Sequence, residues 1–367
     1  MNAADLLLIA PPTGRRARAL QASLAGPGGP EVRMVSYLDL LRGQVHLEDL
    51  VRPGTVVRFD SPGEDLATER ELIRRGGEEA GNLEGGELAP THAWYAGFAG
   101  ALRELETQLQ TCAPHRRMQR TEHLLSMFDK PATHARLEAA GVPVPPALHR
   151  VSSTEDLLTQ ARAQGWSRVF VKLAYGSSGS GAVALQWSGA RVAAVTTVRM
   201  EGGRLYNSRA LMRYNTWPEV QALIDALARQ GLQVERWLPK ADFGGRTIDL
   251  RVVVIGGQAQ HTPVRSARGP ITNLHLGNER GDLPALISAL GEDRWAQVQQ
   301  AAQQALAAFP GALYGGVDLL LTPGFRRAAV LEVNAFGDYH RGVLFGGLDT
   351  YQAELRALLE DRHAACT

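Results

Sequence analysis

Three groups of residues in this chain have the types and the spacing to do chemistry. Near the C-terminal end, Asp318 lies in Val317-Asp318-Leu319-Leu320, and Glu332 and Asn334 lie in Leu331-Glu332-Val333-Asn334. Residues two apart on a strand face the same side, so Glu332 and Asn334 point together, and Asp318 joins them if its strand is the neighbour. Two carboxylates and an amide oxygen are hard donors suited to Mg²⁺, or to Mn²⁺, with water and phosphate oxygens completing the shell. The competing reading is the polar face of an exposed strand. Against it, Val317, Leu319, Leu331 and Val333 alternate as a buried strand should.

The second group is Lys172 followed by Tyr175-Gly176-Ser177-Ser178-Gly179-Ser180-Gly181. Small residues let backbone N–H groups close over phosphate oxygens, and a lysine adds a positive point charge. A Gly/Ser turn between two strands is the plain alternative, and the Gly-Lys-Ser/Thr ending of a Walker loop is missing. In the third group, Val234-Glu235-Arg236-Trp237-Leu238, a strand runs into a linker whose acidic residue and backbone suit the amino edge of a purine. Alone, that segment says almost nothing.

These residues need elements to hold them. Asp5–Ala10, Val32–Ser36 and Val56–Phe59 read as strands and Arg15–Leu24 as a helix, a small α/β unit. The Asp5–Ala10 run lacks preceding basic residues and stops at Pro11-Pro12, so a buried strand is expected in place of a secretory leader. A Gly- and Glu-rich loop over 76–86 precedes a helix over 94–109. Helices follow at 131–140, with Pro131 at its start and Gly141 at its end, and from a Ser153 cap to Ala163. Strands are expected at 169–173, 182–186, 191–200 and 204–207, and a helix at 218–229. Strands at 232–238, 248–255 and 258–264 come next, then a helix over 283–309 interrupted near Gly291, then strands at 314–321 and 327–333. Short turns between strand pairs imply antiparallel α+β layers more than one doubly wound sheet.

Bulk composition narrows the field. The 367 residues are too many for one small core, and 44% hydrophobic with 21% charged is ordinary for a globular chain. With 39 basic against 38 acidic residues there is no global field to select nucleic acid or an anionic membrane, so any anion site must be built locally. Cys112 and Cys366 are too few for a disulfide framework and have no metal-ligand spacing, which points to a cytoplasmic protein with reduced thiols.

Taken together and in this order, the segments resemble the ATP-grasp superfamily over roughly 118–348, with a flavour similar to RimK and glutathione-synthetase-like ligases. The resemblance implies an α+β ATP-grasp fold: an N-terminal α/β pre-ATP-grasp domain (1–117), a central subdomain with the Gly-rich loop (118–230) and a C-terminal subdomain with the metal site (231–367), the last two clamping ATP between them. Lys130, in Phe128-Asp129-Lys130, looks like the first phosphate lysine and Lys172 the second, ahead of the loop Gly176, Ser177, Ser178, Gly179 and Ser180. Glu235, Trp237 and Leu238 look like the adenine hinge, and Asp318, Glu332 and Asn334 like the metal ligands. Asp249-Leu250-Arg251, Arg265 and Asn273-Leu274-His275 resemble that group's phosphate- and substrate-facing elements. Arg251 and Arg265 would stabilise charge on the transferring phosphoryl group, and Asn273 would sit beside metal or phosphates.

The implied activity is ATP- and Mg²⁺-dependent activation of a carboxylate as its acyl phosphate, then attack by an amine. A kinase outcome, or modification of a peptide or protein partner, stays open beside it. Partners would be a small-molecule or peptide carboxylate and an amine, with no nucleic acid and no membrane, and a homo-oligomer is allowed for. His340 or Arg341 would bind the incoming carboxylate, or His340 would take the amine's proton; both also read as loop residues contacting backbone. Arg268 and His275 are weaker candidates of the same kind. The basic run His115–Arg120 reads either as a solvated helix face or as an overhang above the phosphates. Two departures stand out: no acidic residue obvious for ribose follows the hinge, where Pro239-Lys240-Ala241-Asp242 offers only Lys240 and Asp242, and the 265–282 segment matches no single subfamily.

Overall fold

The structure is a computed structural model that describes residues 5–26 and 29–360, apart from the side chain of His275. Cys366 therefore lies outside the described residues, while Cys112 is a free thiol whose Sγ donates to Gln108 O. Among the described residues no helix is long and apolar enough to cross a membrane.

The first layer is a parallel four-stranded sheet in the order β2-β1-β3-β4, formed by β1 (Asp5–Ile9), β2 (Glu31–Val35), β3 (Val56–Phe59) and β4 (Arg116–Arg117). Around it run α1 (Arg15–Leu24), α2 (Tyr37–Leu41), α3 (Leu47–Leu50), α4 (Leu66–Arg75) and the long α5 (Thr91–Thr111). The basic run His115–Arg120 is neither of the things expected of it. Arg116 and Arg117 form the edge strand β4, Arg117 is paired with Glu106, and Met118 and Gln119 are buried. Backbone pairing with β3 competes successfully with helix formation here.

Two helices lead out of this layer, α6 (Thr121–Phe128) and α7 (Lys130–Ala139). Asp129 caps α7 by accepting from Ala132 N, and Pro131 sits in the first turn where its missing N–H costs nothing, so the helix starts at Lys130. Buried Leu124, Met127 and Leu137 on these helices pack in one core with the third sheet.

The second layer is antiparallel, in the order β5-β10-β6-β7-β8-β9. Its strands are β5 (Ala147–Leu148), β6 (Arg168–Leu173), β7 (Val183–Ser188), β8 (Arg191–Glu201), β9 (Arg204–Tyr214) and β10 (Leu232–Arg236), backed by α8 (Thr154–Ala163) and α9 (Trp217–Ala228). The alternation in β6 is decisive for the site: Val169, Val171 and Leu173 are buried against the helices, which turns Lys172 to the opposite face. β9 extends well beyond the expected 204–207, so β8 and β9 form a hairpin of two 11-residue strands whose tip meets the N-terminal layer through Leu88 N to Leu205 O at 2.8 Å. Stacked rings of Tyr95 and Tyr175, 4.2 Å apart, tie α5 to the start of the Gly-rich loop.

The third layer is a seven-stranded antiparallel sheet with the path β15-β14-β12-β16-β17. It comprises β11 (Asp242–Phe243), β12 (Arg246–Ile255), β13 (Gln258–Ala259), β14 (Val264–Ala267), β15 (Glu279–Gly281), β16 (Tyr314–Leu321) and β17 (Ala328–Asn334). The single strand expected over 258–264 is two short ones, β13 and β14, both pairing with β12 on either side of a non-strand stretch containing Pro263, which has no N–H to give a ladder. Helices α10 (Leu283–Leu290) and α11 (Glu292–Ala307), broken at Gly291, cover one face, and α12 (Thr350–Leu359) closes the chain beside the first layer.

Candidate active site

β16 is buried along its whole length, so any charge on it must find partners. Register supplies them: Arg251 of β12 and Glu332 of β17 lie directly opposite Asp318, one on each side. Arg251 grips the Asp318 carboxylate with Nε and with Nη2 at 3.0 Å, and its Nη1 donates to Asp338 Oδ2 at 2.7 Å. Arg265 Nη1 donates to Asp318 Oδ2 at 3.0 Å, while its Nε donates to Asp249 Oδ1 at 2.6 Å. Lys240 Nζ, just past the hinge, donates to Asp249 Oδ2 at 2.8 Å and to Thr272 Oγ1 at 2.7 Å. The result is a chain of alternating charge, Lys240, Asp249, Arg265, Asp318, Arg251, Asp338, crossing one face of the third sheet.

Both candidate phosphate lysines reach this face from elsewhere in the fold. Lys130 Nζ lies 2.5 Å from Gly176 O, at the root of the Gly-rich loop, and 3.5 Å from Glu332 Oε2. Lys172 Nζ donates to both oxygens of Glu235, at 2.9 and 2.8 Å, and lies 3.3 Å from Leu331 O on β17. Burial opposes ionisation of Glu332, yet Lys130, Lys172 and Arg251 together hold its carboxyl far below the usual range. The same holds for Asp338, where burial is outweighed by Arg251 and His340, and for Asp249, where it is outweighed by Arg265 and Lys240. Burial pulls the Lys240 ammonium below its usual range against the attraction of Asp249.

The Gly-rich loop turns on positive φ at Ser178, Gly179 and Gly181, with Ser180 N bonded to Ser177 O at 2.9 Å. Its tip touches the third unit: a Cβ on Gly179 would sit 3.1 Å from Asn273 Nδ2. Thr197 Oγ1 donates to Gly179 O at 2.8 Å and Ser180 Oγ to Asn207 Oδ1 at 2.6 Å, which fixes the loop on the β8–β9 hairpin.

Most of the residues singled out in the sequence thus share one cleft, with three differences in detail. Glu235 is buried and its carboxylate is taken by Lys172, leaving backbone as what Glu235, Trp237 and Leu238 offer a purine; Trp237 N is itself directed at Arg168 O, 3.3 Å away. Asn334 donates through Nδ2 to Gly316 O at 3.1 Å, with Glu332 Oε1 3.4 Å from the same nitrogen, so its amide oxygen is the atom available for a cation. His340 is buried with Nε2 3.1 Å from Asp338 Oδ2, whereas Arg341 and Arg268 are exposed. Among the described residues no three His, Cys, Asp or Glu side chains cluster as a metal site; the candidate donors Asp318, Glu332 and Asn334 are two carboxylates plus an amide.

From the sequence alone, the stretch 336–342 is expected to line the cleft, but with no partner for Asp338 and no role for Gly316. A Cβ on Gly316 would meet Gly337 O at 2.7 Å, so glycine there lets the segment after β17 fold back and deliver Asp338 to Arg251. A Gly315-Gly316 pair inside an otherwise apolar strand is the signal for such a close approach.

No protein-family model matches the sequence, and no curated protein does. Solved structures do match over nearly the whole chain. The D-cycloserine synthetase DcsG superposes with a TM-score of 0.58 at 15% identity, covering 97% of this chain and 99% of its own. The D-alanine--D-alanine ligase from Bacillus anthracis, solved with ATP, gives 0.53 at 12% identity over 99% of this chain and 97% of its own. The chain has the ATP-grasp fold. The ATP-grasp ligase PsnB, solved with a phosphomimetic variant of its minimal precursor, Mg and ADP, matches with a TM-score of 0.52 at 14% identity over 97% and 98% of the two chains. Lys172 lies on the second layer, Asp318 and Glu332 on the third, and Lys130 at the start of α7.

Proposed function

We propose that this chain is an ATP- and Mg²⁺-dependent ligase that activates a substrate carboxylate as an acyl phosphate and joins it to an amine. The observation that carries the reading is the position of Lys130, whose one ammonium reaches both the Gly-rich loop and Glu332. A cation there joins the segment suited to phosphate with the strand pair suited to a divalent metal. The D-Ala-D-Ala ligase and PsnB matches, solved with ATP and with Mg and ADP, support a nucleotide in this cleft.

Lys130, Lys172 and the Gly176–Ser180 backbone hold the phosphates, and the hinge backbone at Glu235–Leu238 holds the base. Asp318, Glu332 and Asn334 fit a divalent cation by donor chemistry: hard oxygens on adjacent strands, with the Glu332 carboxyl held ionised by Lys130, Lys172 and Arg251. When bound, such an ion neutralises phosphate charge. Asp318 carries two guanidinium contacts in this structure, so taking up a cation requires it to release some of them.

The substrate carboxylate oxygen attacks the γ-phosphorus and ADP departs. The amine then attacks the carbonyl carbon, phosphate leaves, and the amine's proton passes to a base. With Asp318 released to the cation, Arg251 and Arg265 are freed to stabilise the developing negative charge, and His340, with Nε2 facing Asp338, is placed to take the proton. A free carboxylate would have to expel oxide, whereas the phosphorylated form expels phosphate. A peptide is one admissible source of the carboxylate, given that the similar macrocyclase MdnC was solved bound with its precursor peptide MdnA. Within the fold we favour the RimK and glutathione-synthetase-like group, on the Asp249-Leu250-Arg251 triplet.

Hydroxylamine trapping tests this reading. Purified protein with Mg-ATP and a panel of carboxylic acids should yield hydroxamate in step with ADP. ADP formation with phosphorylated product and no hydroxamate across the panel would favour a kinase.

A further inference from the structure

Strand register extends the charged face beyond the residues used so far. Arg265 lies directly opposite Asp249 on β12, and Arg280 on the edge strand β15 lies directly opposite Arg265. Directly opposed residues on antiparallel strands share a face, as do residues two apart on one strand. Arg280 is therefore on the face that carries Arg265, Asp249, Arg251, Asp318 and Glu332. Its situation differs from theirs. Arg251 and Arg265 are each saturated by two carboxylates, but Arg280 is exposed and, among the described residues, its guanidinium has a backbone oxygen as partner, Arg341 O at 2.9 Å. That contact joins the 265–282 segment to the loop following β17, the two segments that border the outer end of the face.

Resting on the ligase reading, we propose that Arg280 is a specificity-determining residue that binds a second anionic group of the substrate, remote from the carboxylate that is phosphorylated. Charge accounting on the face leads to this: Arg251 and Arg265 each hold two carboxylates of the protein itself, whereas the outermost guanidinium is left with unused donors in a fork suited to a carboxylate or phosphate. Three strand spacings of about 4.8 Å separate the β15 and β16 backbones, and the reach of an arginine side chain shortens this, so the two anionic groups lie on the order of 7–14 Å apart. That span exceeds a single α-amino acid and fits an extended dicarboxylate or a short acidic peptide.

Hydroxylamine as the nucleophile removes the need to know the amine. Dicarboxylic acids of increasing length, from succinate to suberate, are compared with their monoamides by hydroxamate formation in the wild type and Arg280→Ala. In the wild type the longer diacids should show KM values at least tenfold below those of their monoamides. In Arg280→Ala the ratio should collapse toward one with kcat changed less than about threefold, and Arg280→Lys should restore part of it. A wild-type ratio near one, or a ratio unchanged in Arg280→Ala, overturns the proposal. If no acid gives hydroxamate, calorimetric titration of suberate into Mg-AMPPNP-loaded protein decides separately. Binding weakened at least tenfold in Arg280→Ala upholds the anion site while the ligase reading fails; equal binding, or none, overturns the anion site as well.

Discussion

Two buried charge clusters in this molecule differ in what surrounds them. One is the cleft face of the third sheet. The other ties the N-terminal sheet to the last helix: Arg58 on β3 is 1% exposed, pairs with Glu354 on α12 and with Asp60 at 3.4 Å, and lies over the rings of Tyr314 and Tyr351. In the cleft, several cations converge on each carboxylate and hold Glu332 and Asp338 far down. In the knot, burial dominates and pushes Glu354 up to about 7 despite Arg58. Glu354 Oε1 and the hydroxyls of Tyr314 and Tyr351 find no hydrogen-bond partner among the described residues. Charges gathered beside the Gly-rich loop and the candidate cation donors fit the proposed ligand site; charges sealed among tyrosines point to assembly of the layers.

The sharpest way to break this contrast is to remove one member of each cluster. Arg58→Met strands a buried carboxylate and should cost roughly 3–5 kcal/mol of stability in urea denaturation, while Arg58→Met combined with Glu354→Leu should recover most of it. An Arg58→Met protein as stable as the wild type would remove the structural reading of the knot. Glu332→Gln should do the reverse. ADP release should fall by roughly 10²–10³-fold, with the denaturation midpoint moved far less than by Arg58→Met. Full ATP turnover in Glu332→Gln, and likewise in Asp318→Asn, would count against the cation assignment.

A smaller effect concerns pH. With its folded value raised from 4.5 to about 7, Glu354 binds more protons in the native state than in the unfolded one, so its contribution falls as pH rises through that window. The slope should amount to about 3 kcal/mol at most and should disappear in Glu354→Gln. A stability curve that falls across the same window by as much in Glu354→Gln as in the wild type would leave Glu354 without this role.

Local pattern carried a good part of this into the sequence. Pro131 marks the start of α7 to within one residue, the Asp129 cap setting it at Lys130, and Val169, Val171 and Leu173 alternate with Lys172 as the observed strand requires. Asp318 and Glu332 sit on paired strands with apolar neighbours, so their meeting was legible too. What was not legible depends on contacts across long sequence distance. Nothing in Glu235 alone announces that Lys172 will take its carboxylate, and Asp338 acquires its partner only because Gly316 lets the chain fold back. The basic run at 115–120 failed for a related reason: edge-strand pairing to β3 has no local periodic signature in two residues.

The central claim is that Lys130, Lys172 and the β16–β17 carboxylates surround one nucleotide's phosphates. Calorimetric titration of Mg-AMPPNP into wild type and Lys172→Ala tests it most directly, with thermal unfolding as the control for folding. The account predicts saturable one-site binding to the wild type, weakened at least about tenfold, or ~1.4 kcal/mol, in a folded Lys172→Ala. Equal affinity in the two proteins, or no binding to the wild type, would contradict it.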